Sequence, residues 1–96
     1  MGIGVRRSDV EIIREILRTD GGALSDLRYA VSLSYAQVKR YVVSLERSGN
    51  IVLEHRGSRI AGFKTTERGR AALKLLEELI PVLGYEPLPE LEENII

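Results

Sequence analysis

Polar and basic side chains recur along one side of the segment between Ser34 and Gly49, SYAQVKRYVVSLERSG. The five residues there that carry hydrogen-bond donors are Gln37, Lys39, Arg40, Ser44 and Arg47. On one face of a helix, such groups can donate hydrogen bonds to base edges in a DNA major groove and to phosphates along its rim. The same pattern also fits an ordinary surface helix with solvated charges. The residues outside this segment are needed to distinguish the two interpretations.

The element that positions these side chains is predicted to be an amphipathic helix over residues 34–48. The residues that recur at the spacing of a buried helical face are Tyr35, Val38, Val42 and Leu45. Ser34 is a favoured N-cap residue, and Gly49 follows the last periodic position. We therefore expect one buried face, with the hydrogen-bond donors on the outside.

The residues before Ser34 predict two shorter helices. Ser8 and Glu11 form a capping box for a first helix that ends near Thr19. A glycine-containing break follows, and a second helix is expected over residues 24–31. Two helices joined by a short turn, the second with polar and basic side chains outside, form the helix-turn-helix arrangement.

The helical period is lost after Gly49, and two extended segments follow. Residues 51–56 (IVLEHR) and 59–65 (RIAGFKT) enclose a Gly-Ser pair, which predicts a β-hairpin with a tight turn. Two-residue spacing places His55 on the face that carries Leu53. Three helices followed by a hairpin predict a winged helix, which is a mostly α fold with a small β-hairpin.

The tip of the predicted wing carries Arg56, Ser58 and Arg59. Side chains at this place can reach a phosphate or the edge of a minor groove. Because exposed arginines are also common at hairpin tips, these residues are weaker candidates than those of the helix before them.

The zero net charge of the 96 residues conceals a strong segregation. Residues 28–74 contain ten basic and three acidic side chains, whereas residues 75–96 contain six glutamates and no base. A basic middle segment is the electrostatic footprint of a protein that binds a polyanion. The alternative is that the ends of the chain neutralise its middle within the fold.

Composition gives little support to catalysis, to a metal site or to a membrane span. The chain contains no cysteine, and its one histidine, His55, cannot form a metal site alone. No acidic residue is paired with a nucleophile, and no glycine-rich segment fits a phosphate loop. No apolar run approaches the ~20 residues of a membrane span, and the N-terminus does not resemble a signal peptide. We expect a cytoplasmic protein of one domain, with no enzymatic activity and no cofactor.

Two longer motifs resemble a known family. LSYAQVKRYVVSLERSGNI, then a short wing and KTTERGRAALKLLEEL, resemble the small winged helix-turn-helix DNA-binding proteins, above all the dimeric ten-a family of archaeal chromatin and regulator proteins. The resemblance covers roughly residues 8–80. Its most specific parts are Leu45-Glu46-x-x-Gly49 and Thr65-Thr66-Glu67-x-Gly69.

The resemblance implies how the elements are used. In that family the third helix enters the major groove, the wing touches the flanking backbone, and the C-terminal helix pairs two subunits as a coiled coil. Transferred to this chain, it implies that the groove or phosphate contacts are Ser34, Tyr35, Gln37, Lys39 and Arg40, with Arg56 and Arg59 on the wing. The chain departs from the family at Asn50, where an apolar residue is usual, and at Pro81, which implies a shorter or bent coiled coil.

The predicted last helix carries an unusually wide apolar arc. The residues assigned to a dimer interface are Ala72, Leu76, Leu79, Ile80 and Leu83. The arc spans about 200°, well beyond the ~100° with which a helix faces its own core. We therefore expect burial against a second chain. The alternative is that the tail folds back over this helix.

These expectations divide the chain into an N-terminal arm (1–7), a winged helix-turn-helix domain (8–65), a dimerisation helix (66–83) and an acidic tail (84–96). Two functions compete. The first is a homodimer that binds double-stranded DNA as a transcriptional regulator or nucleoid-associated protein. The second is a winged-helix module that binds an acidic protein within a larger assembly. The sequence does not indicate an effector ligand or the role of the tail.

Overall fold

The computed structural model describes residues 7–84 and confirms the winged-helix architecture. Its elements in chain order are α1 (Arg7–Thr19), β1 (Gly21–Ala23), α2 (Leu24–Val31), α3 (Tyr35–Arg47), β2 (Ile51–Arg56), β3 (Arg59–Thr65) and α4 (Glu67–Leu83). The start of α1 differs from the sequence expectation. Arg7 and Ser8 both have helical backbone, so Ser8, which was expected to cap the helix, lies within it. Most of the predicted arm and all but the first residue of the acidic tail lie outside the described residues.

The wing is part of a three-stranded antiparallel sheet in the order β1-β3-β2. Its hairpin has the predicted strands, and Gly57 occupies its turn with a φ of 64°, a left-handed conformation that favours glycine. The third strand, β1, was not predicted. Its three residues pair with Gly62, Phe63 and Lys64 of β3, at the place where the sequence indicated only a helix break.

A β-bulge changes the direction of side chains within the wing. Gly62 pairs with Glu54 and Ile60 pairs with His55, so Ala61 has no residue opposite it. Along β2 the predicted alternation holds, because Ile51, Leu53 and His55 lie opposite Thr65, Phe63 and Ile60, which are all buried. His55 itself is exposed, next to the turn of the hairpin.

The hydrophobic core lies between the first three helices and the inner face of the sheet. The core side chains exposed by 2% or less include Ile16, Leu24, Leu27, Val38, Val42, Ile51 and Phe63. Each such side chain contributes about 1.5–3 kcal/mol when fully buried. On α3 the predicted inner face is confirmed at Val38, Val42 and Leu45, whereas Tyr35 is half-buried. This packing directs the opposite face of α3 outwards.

The two most family-specific motifs contact each other. The Thr66 hydroxyl donates a hydrogen bond to the carbonyl oxygen of Gly49 at 2.7 Å, and the Thr66 backbone N–H donates one to the Asn50 carbonyl at 3.0 Å. The same hydroxyl accepts a hydrogen bond from the Gly69 N–H at 3.0 Å and so caps α4. These bonds form a junction between the end of α3 and the start of α4, which we name the α3–α4 junction.

Helix α4 continues through Pro81 and ends at Leu83, before Gly84 in a left-handed C-cap. Proline has no N–H to donate to the carbonyl four residues earlier, which here belongs to Glu77. Because Glu77 is exposed, water can satisfy that carbonyl oxygen. The helix packs against α1, and Ile80 is buried.

Candidate nucleic-acid interface

The exposed face of α3 has the composition that the sequence indicated. Lys39, Arg40, Ser44 and Arg47 line a shallow groove together with Val43. The four polar residues are exposed, and Val43 is half-buried against the core. The cations of this groove can bind phosphates and base edges, and the apolar side chain beside them can contact a thymine methyl group. The sequence reasoning did not single out Val43, although its helical angle lies close to that of Arg47.

Ser34 and Gln37, both assigned to DNA contacts, form the capping box of α3. The Gln37 side-chain oxygen Oε1 accepts a hydrogen bond from the Ser34 N–H at 2.9 Å, and Ser34 Oγ accepts one from the Gln37 N–H at 3.2 Å. A glutamine that reads adenine uses both its oxygen and its amide nitrogen. Gln37 could bind adenine in this way only if its oxygen left the capping box. While the capping box is closed, only the Nε2 amide group of Gln37 is available to bind DNA.

Tyr35 connects the start of α3 to the wing. Its hydroxyl accepts a hydrogen bond from the Ile60 N–H at 2.9 Å, and the Arg59 guanidinium lies 4.0 Å above the centre of its ring. A cation above an aromatic face is attracted by the negative centre of the ring. Tyr35 therefore fixes the position of Arg59 relative to α3, in addition to any contact of its own with a ligand.

In the part of the chain that the structure describes, basic side chains at the ends of α1 and α4 form ion pairs, whereas those of α3 and the wing do not. Arg18 forms an ion pair with Glu77 at 3.2 Å, and Arg70 forms one with Asp20 at 3.1 Å. Among the described residues, no such pair is found for the cations Lys39, Arg40, Arg47, Arg56 and Arg59. Internal neutralisation thus occurs between α1 and α4 and between α4 and the segment before β1. Within residues 7–84 it leaves these cations of α3 and the wing without an ion pair.

The wing tip presents Arg56, Ser58 and Arg59, all exposed. Because Arg56 and Arg59 pair across the two-residue turn, both emerge from the same end of the hairpin. Replacing both by alanine should lower the slope of log affinity for duplex against log salt by about two, one for each lost phosphate contact. Fluorescence anisotropy over a salt series measures this slope. An unchanged slope would mean that the wing does not reach DNA.

A stripe of apolar side chains on α4 is exposed in the single chain. Leu75 is 66% exposed, Leu79 49%, Val82 79% and Leu83 54%. Of the residues assigned to a dimer interface, Leu79 and Leu83 lie on this surface, and Ala72 and Leu76 are half-buried beside it. Ile80 is 1% exposed and packs within its own chain, so its assignment to that surface was wrong.

Leu75 and Val82 were not among the residues assigned to the dimer interface. With Ala72 and Leu79 they form a series at spacings of three, four and three residues, which is the pattern of a coiled-coil seam. Because the apolar arc is wide, periodicity alone could not distinguish this series from the one that was assigned. Burial of Ile80 marks the inner side of the helix and leaves this series outside.

The described residues show neither a metal site nor a membrane span. Between residues 7 and 84, no three histidine, cysteine, aspartate or glutamate side chains are grouped as metal ligands would be. In the same part of the chain, no helix combines the length and apolarity needed to cross a bilayer.

Three solved structures are similar to this chain in fold. The crystal structure of Sso10a-2, a DNA-binding protein from Sulfolobus solfataricus, has a TM-score of 0.67 and 21% sequence identity, covering 78% of this chain and 80% of its own. A MarR-family transcriptional regulator from Silicibacter pomeroyi has a TM-score of 0.60 and 16% identity, covering 96% of this chain and 66% of its own. A second MarR-family regulator, from Silicibacter pomeroyi DSS-3, has a TM-score of 0.58 and 16% identity, with coverages of 82% and 57%.

Comparison of sequences gives a more specific result. No curated protein matches the chain significantly. A family model described as winged helix-turn-helix matches residues 6–83, which include every helix and strand described above. The element order, the three-stranded sheet and this match agree, and the protein belongs to the winged helix-turn-helix family.

Proposed function

We propose that this protein binds double-stranded DNA as a homodimer, with α3 in the major groove and the wing on the flanking backbone. The observation that carries the proposal is the uncompensated positive surface of α3 and the wing. Glu46, the single acidic residue of α3, has its carboxylate oxygen Oε2 bound to the Leu53 N–H at 3.3 Å. Glu46 is exposed, but this bond directs it towards β2, and it is not among the residues that line the groove with Lys39, Arg40 and Arg47.

The dimer is supported by the exposed apolar stripe on α4. Leu75, Leu79, Val82 and Leu83 lie on one helix, and soluble monomers rarely leave contiguous apolar patches of this kind in water. A two-fold contact along this stripe would bury the same surface on both chains. It would also present two α3 helices, to half-sites about 34 Å apart.

The comparisons support a role at DNA in a general way. One similar structure is described as a DNA-binding protein and two as transcriptional regulators. We infer that this chain acts at the nucleoid, in the cytoplasm, either on transcription or on DNA architecture. The alternative is a module that binds an acidic protein through the same positive surface. A duplex-binding experiment distinguishes the two functions.

The test is a titration of a mixed-sequence duplex at two salt concentrations, followed by fluorescence anisotropy. About six phosphate contacts from a dimer should lower the affinity about 10³-fold between 50 and 200 mM salt. Absence of duplex binding at the lower salt concentration would reject the proposal and favour the protein-binding module.

Arg40 provides a test of groove readout. Its side chain is exposed on the groove face of α3, so Arg40→Ala should cost about 1–3 kcal/mol on a selected site and less on random duplex. The selected site would come from repeated enrichment of random duplexes by the unmodified protein. Equal losses on both duplexes would make Arg40 a phosphate contact.

A further inference from the structure

A small cleft lies beside the groove face of α3, between α2, the start of α3 and the wing. Its floor is apolar, because it includes Leu24 and Ile60, which are 2% and 4% exposed. Its volume is about 220 Å³. That is below the ~300–1,000 Å³ typical of small-molecule sites but several times the ~30 Å³ that one water occupies in the liquid. The cleft therefore fits a single ionic group with a few waters.

Three arginines from separate elements surround this cleft. Arg28 comes from α2, and Arg56 and Arg59 come from the two strands of the wing. No carboxylate is among the residues that line the cleft in the described part of the chain. Three guanidinium groups without an acidic partner attract an anion, and the planar guanidinium fork matches the oxygens of a phosphate.

Contacts within the chain hold two of the arginines in place before any ligand binds. Arg28 Nε donates a hydrogen bond to the Leu33 carbonyl oxygen at 3.5 Å, and Arg59 lies over the Tyr35 ring. Tyr35 is itself held by the hydrogen bond from the Ile60 N–H. A side chain that is already positioned loses less conformational entropy when it binds, so this arrangement favours affinity.

The first turn of α2 adds hydrogen-bond donors at the edge of the cleft. Leu24 and Ser25 both line it, and Ala23, the N-cap residue of α2, makes no side-chain capping bond. The first N–H groups of a helix lack partners within the helix and carry partial positive charge. The same turn also carries the exposed Asp26, which does not line the cleft, so the positive charge at the cleft comes mainly from the three arginines.

We propose that this cleft binds one phosphate of the DNA backbone through Arg28, while Arg56 and Arg59 on the wing side of the cleft contact the neighbouring phosphates. The inference rests on the proposed function and adds a contact from α2 to those of α3 and the wing. The cleft lies between those two elements, so DNA bound to both would pass its opening. A free phosphate group has the same chemistry, and the experiment separates the two sources.

The first measurement is the salt dependence of duplex binding by Arg28→Gln, which removes the charge but keeps a polar side chain. The slope of log affinity against log salt should fall by about one relative to the unmodified protein. Arg28→Lys, which keeps the charge, should restore most of the slope. Lys74→Gln is the matched control, because it removes one positive charge from an exposed position on α4, and its slope should not change.

The second measurement locates the phosphate on the duplex. Single phosphates are replaced one at a time by neutral methylphosphonates, and affinity is measured for each duplex. The unmodified protein should lose affinity at one linkage in each half-site, and Arg28→Gln should no longer distinguish that linkage. A linkage that matters equally to both proteins would contradict the assignment of Arg28.

A titration with inorganic phosphate alone tests whether the cleft binds a free phosphate group. It should shift the amide resonances of Ser25 and Ala61 in the unmodified protein, and less in Arg28→Gln. If Arg28→Gln binds duplex with an unchanged slope but loses these shifts, the cleft takes a free phosphate and the backbone inference is overturned. If the unmodified protein binds no duplex, the proposed function fails, whereas duplex binding with an unchanged slope rejects only the inference.

Discussion

Glutamate at both Leu75 and Leu79 should convert the protein into a monomer that folds but binds DNA weakly. These side chains are 66% and 49% exposed in the single chain, so charge there should disturb the chain's own core little. Charge in a paired apolar stripe would prevent the proposed two-fold contact. Loss of the second α3 should reduce duplex affinity by about 10²-fold or more, because the bivalent advantage disappears. Sedimentation gives the mass, and circular dichroism gives the helical content.

Lys74→Glu is the matched control for this double variant. It changes the net charge by the same amount, and it lies outside the apolar stripe. It should remain a dimer of unchanged helical content. If the unmodified protein sediments as a monomer at tens of micromolar, the proposed dimer is wrong, and another segment must cover the stripe.

Gly69→Ala should destabilise the protein by about 3 kcal/mol, the upper part of the usual range for overpacking. A β-carbon at this position would overlap the Asn50 carbonyl oxygen and would come within 2.7 Å of Thr65 Cγ2. Helix propensity alone gives the opposite sign, since alanine within a helix is favoured over glycine by about 0.5–1 kcal/mol. Urea unfolding followed by circular dichroism decides between the two.

Gly84→Ala serves as the control at the other end of α4. Space around Gly84 is open, and only its φ of 80° opposes a β-carbon. The expected loss is about 1 kcal/mol, the cost of a left-handed alanine. A Gly69→Ala protein at least as stable as the unmodified one would show that α4 approaches Asn50 less closely than described.

The elements that the sequence predicted well have strong local signals. Helix α2 and both hairpin strands begin and end at the predicted residues, because glycine, serine and apolar periodicity mark their ends. Strand β1 has no such signal. Gly21 and Gly22 carry no side chains to alternate, and the strand exists only because β3 offers an open edge for pairing. Its position therefore depends on tertiary structure.

The candidate interface likewise has features that the local sequence predicted and features that depend on tertiary structure. The order of residues along α3 predicted which face carries Lys39 and Arg40. It could not predict that the oxygen of Gln37 closes a cap or that Arg28 approaches the wing, since these depend on rotamers and on distant segments. The role of every site residue toward DNA stays a prediction until the binding experiments are done.

The two motifs that most strongly indicated the family make contacts within the fold. Gly49 and Thr66 bind each other, Glu46 binds the backbone of β2, and Gly69 allows α4 to approach Asn50. In the proposed complex, base recognition depends instead on the exposed face of α3. A chain that carries both motifs is thus expected to have this junction whatever sequence it recognises.

The α3–α4 junction makes α4 a lever in the proposed dimer. Thr66 fixes the base of the helix to the end of α3, and Leu79 lies 12 residues beyond Glu67, about 18 Å along the axis. A tilt of about 10° where the two α4 helices cross would move each junction by about 3 Å. This nearly equals the ~3.4 Å rise of one base pair. Each added base pair also rotates a half-site by about 34° around the DNA axis, and a tilt of about 10° does not follow that rotation. The proposed dimer is therefore expected to tolerate little variation in the spacing of its half-sites.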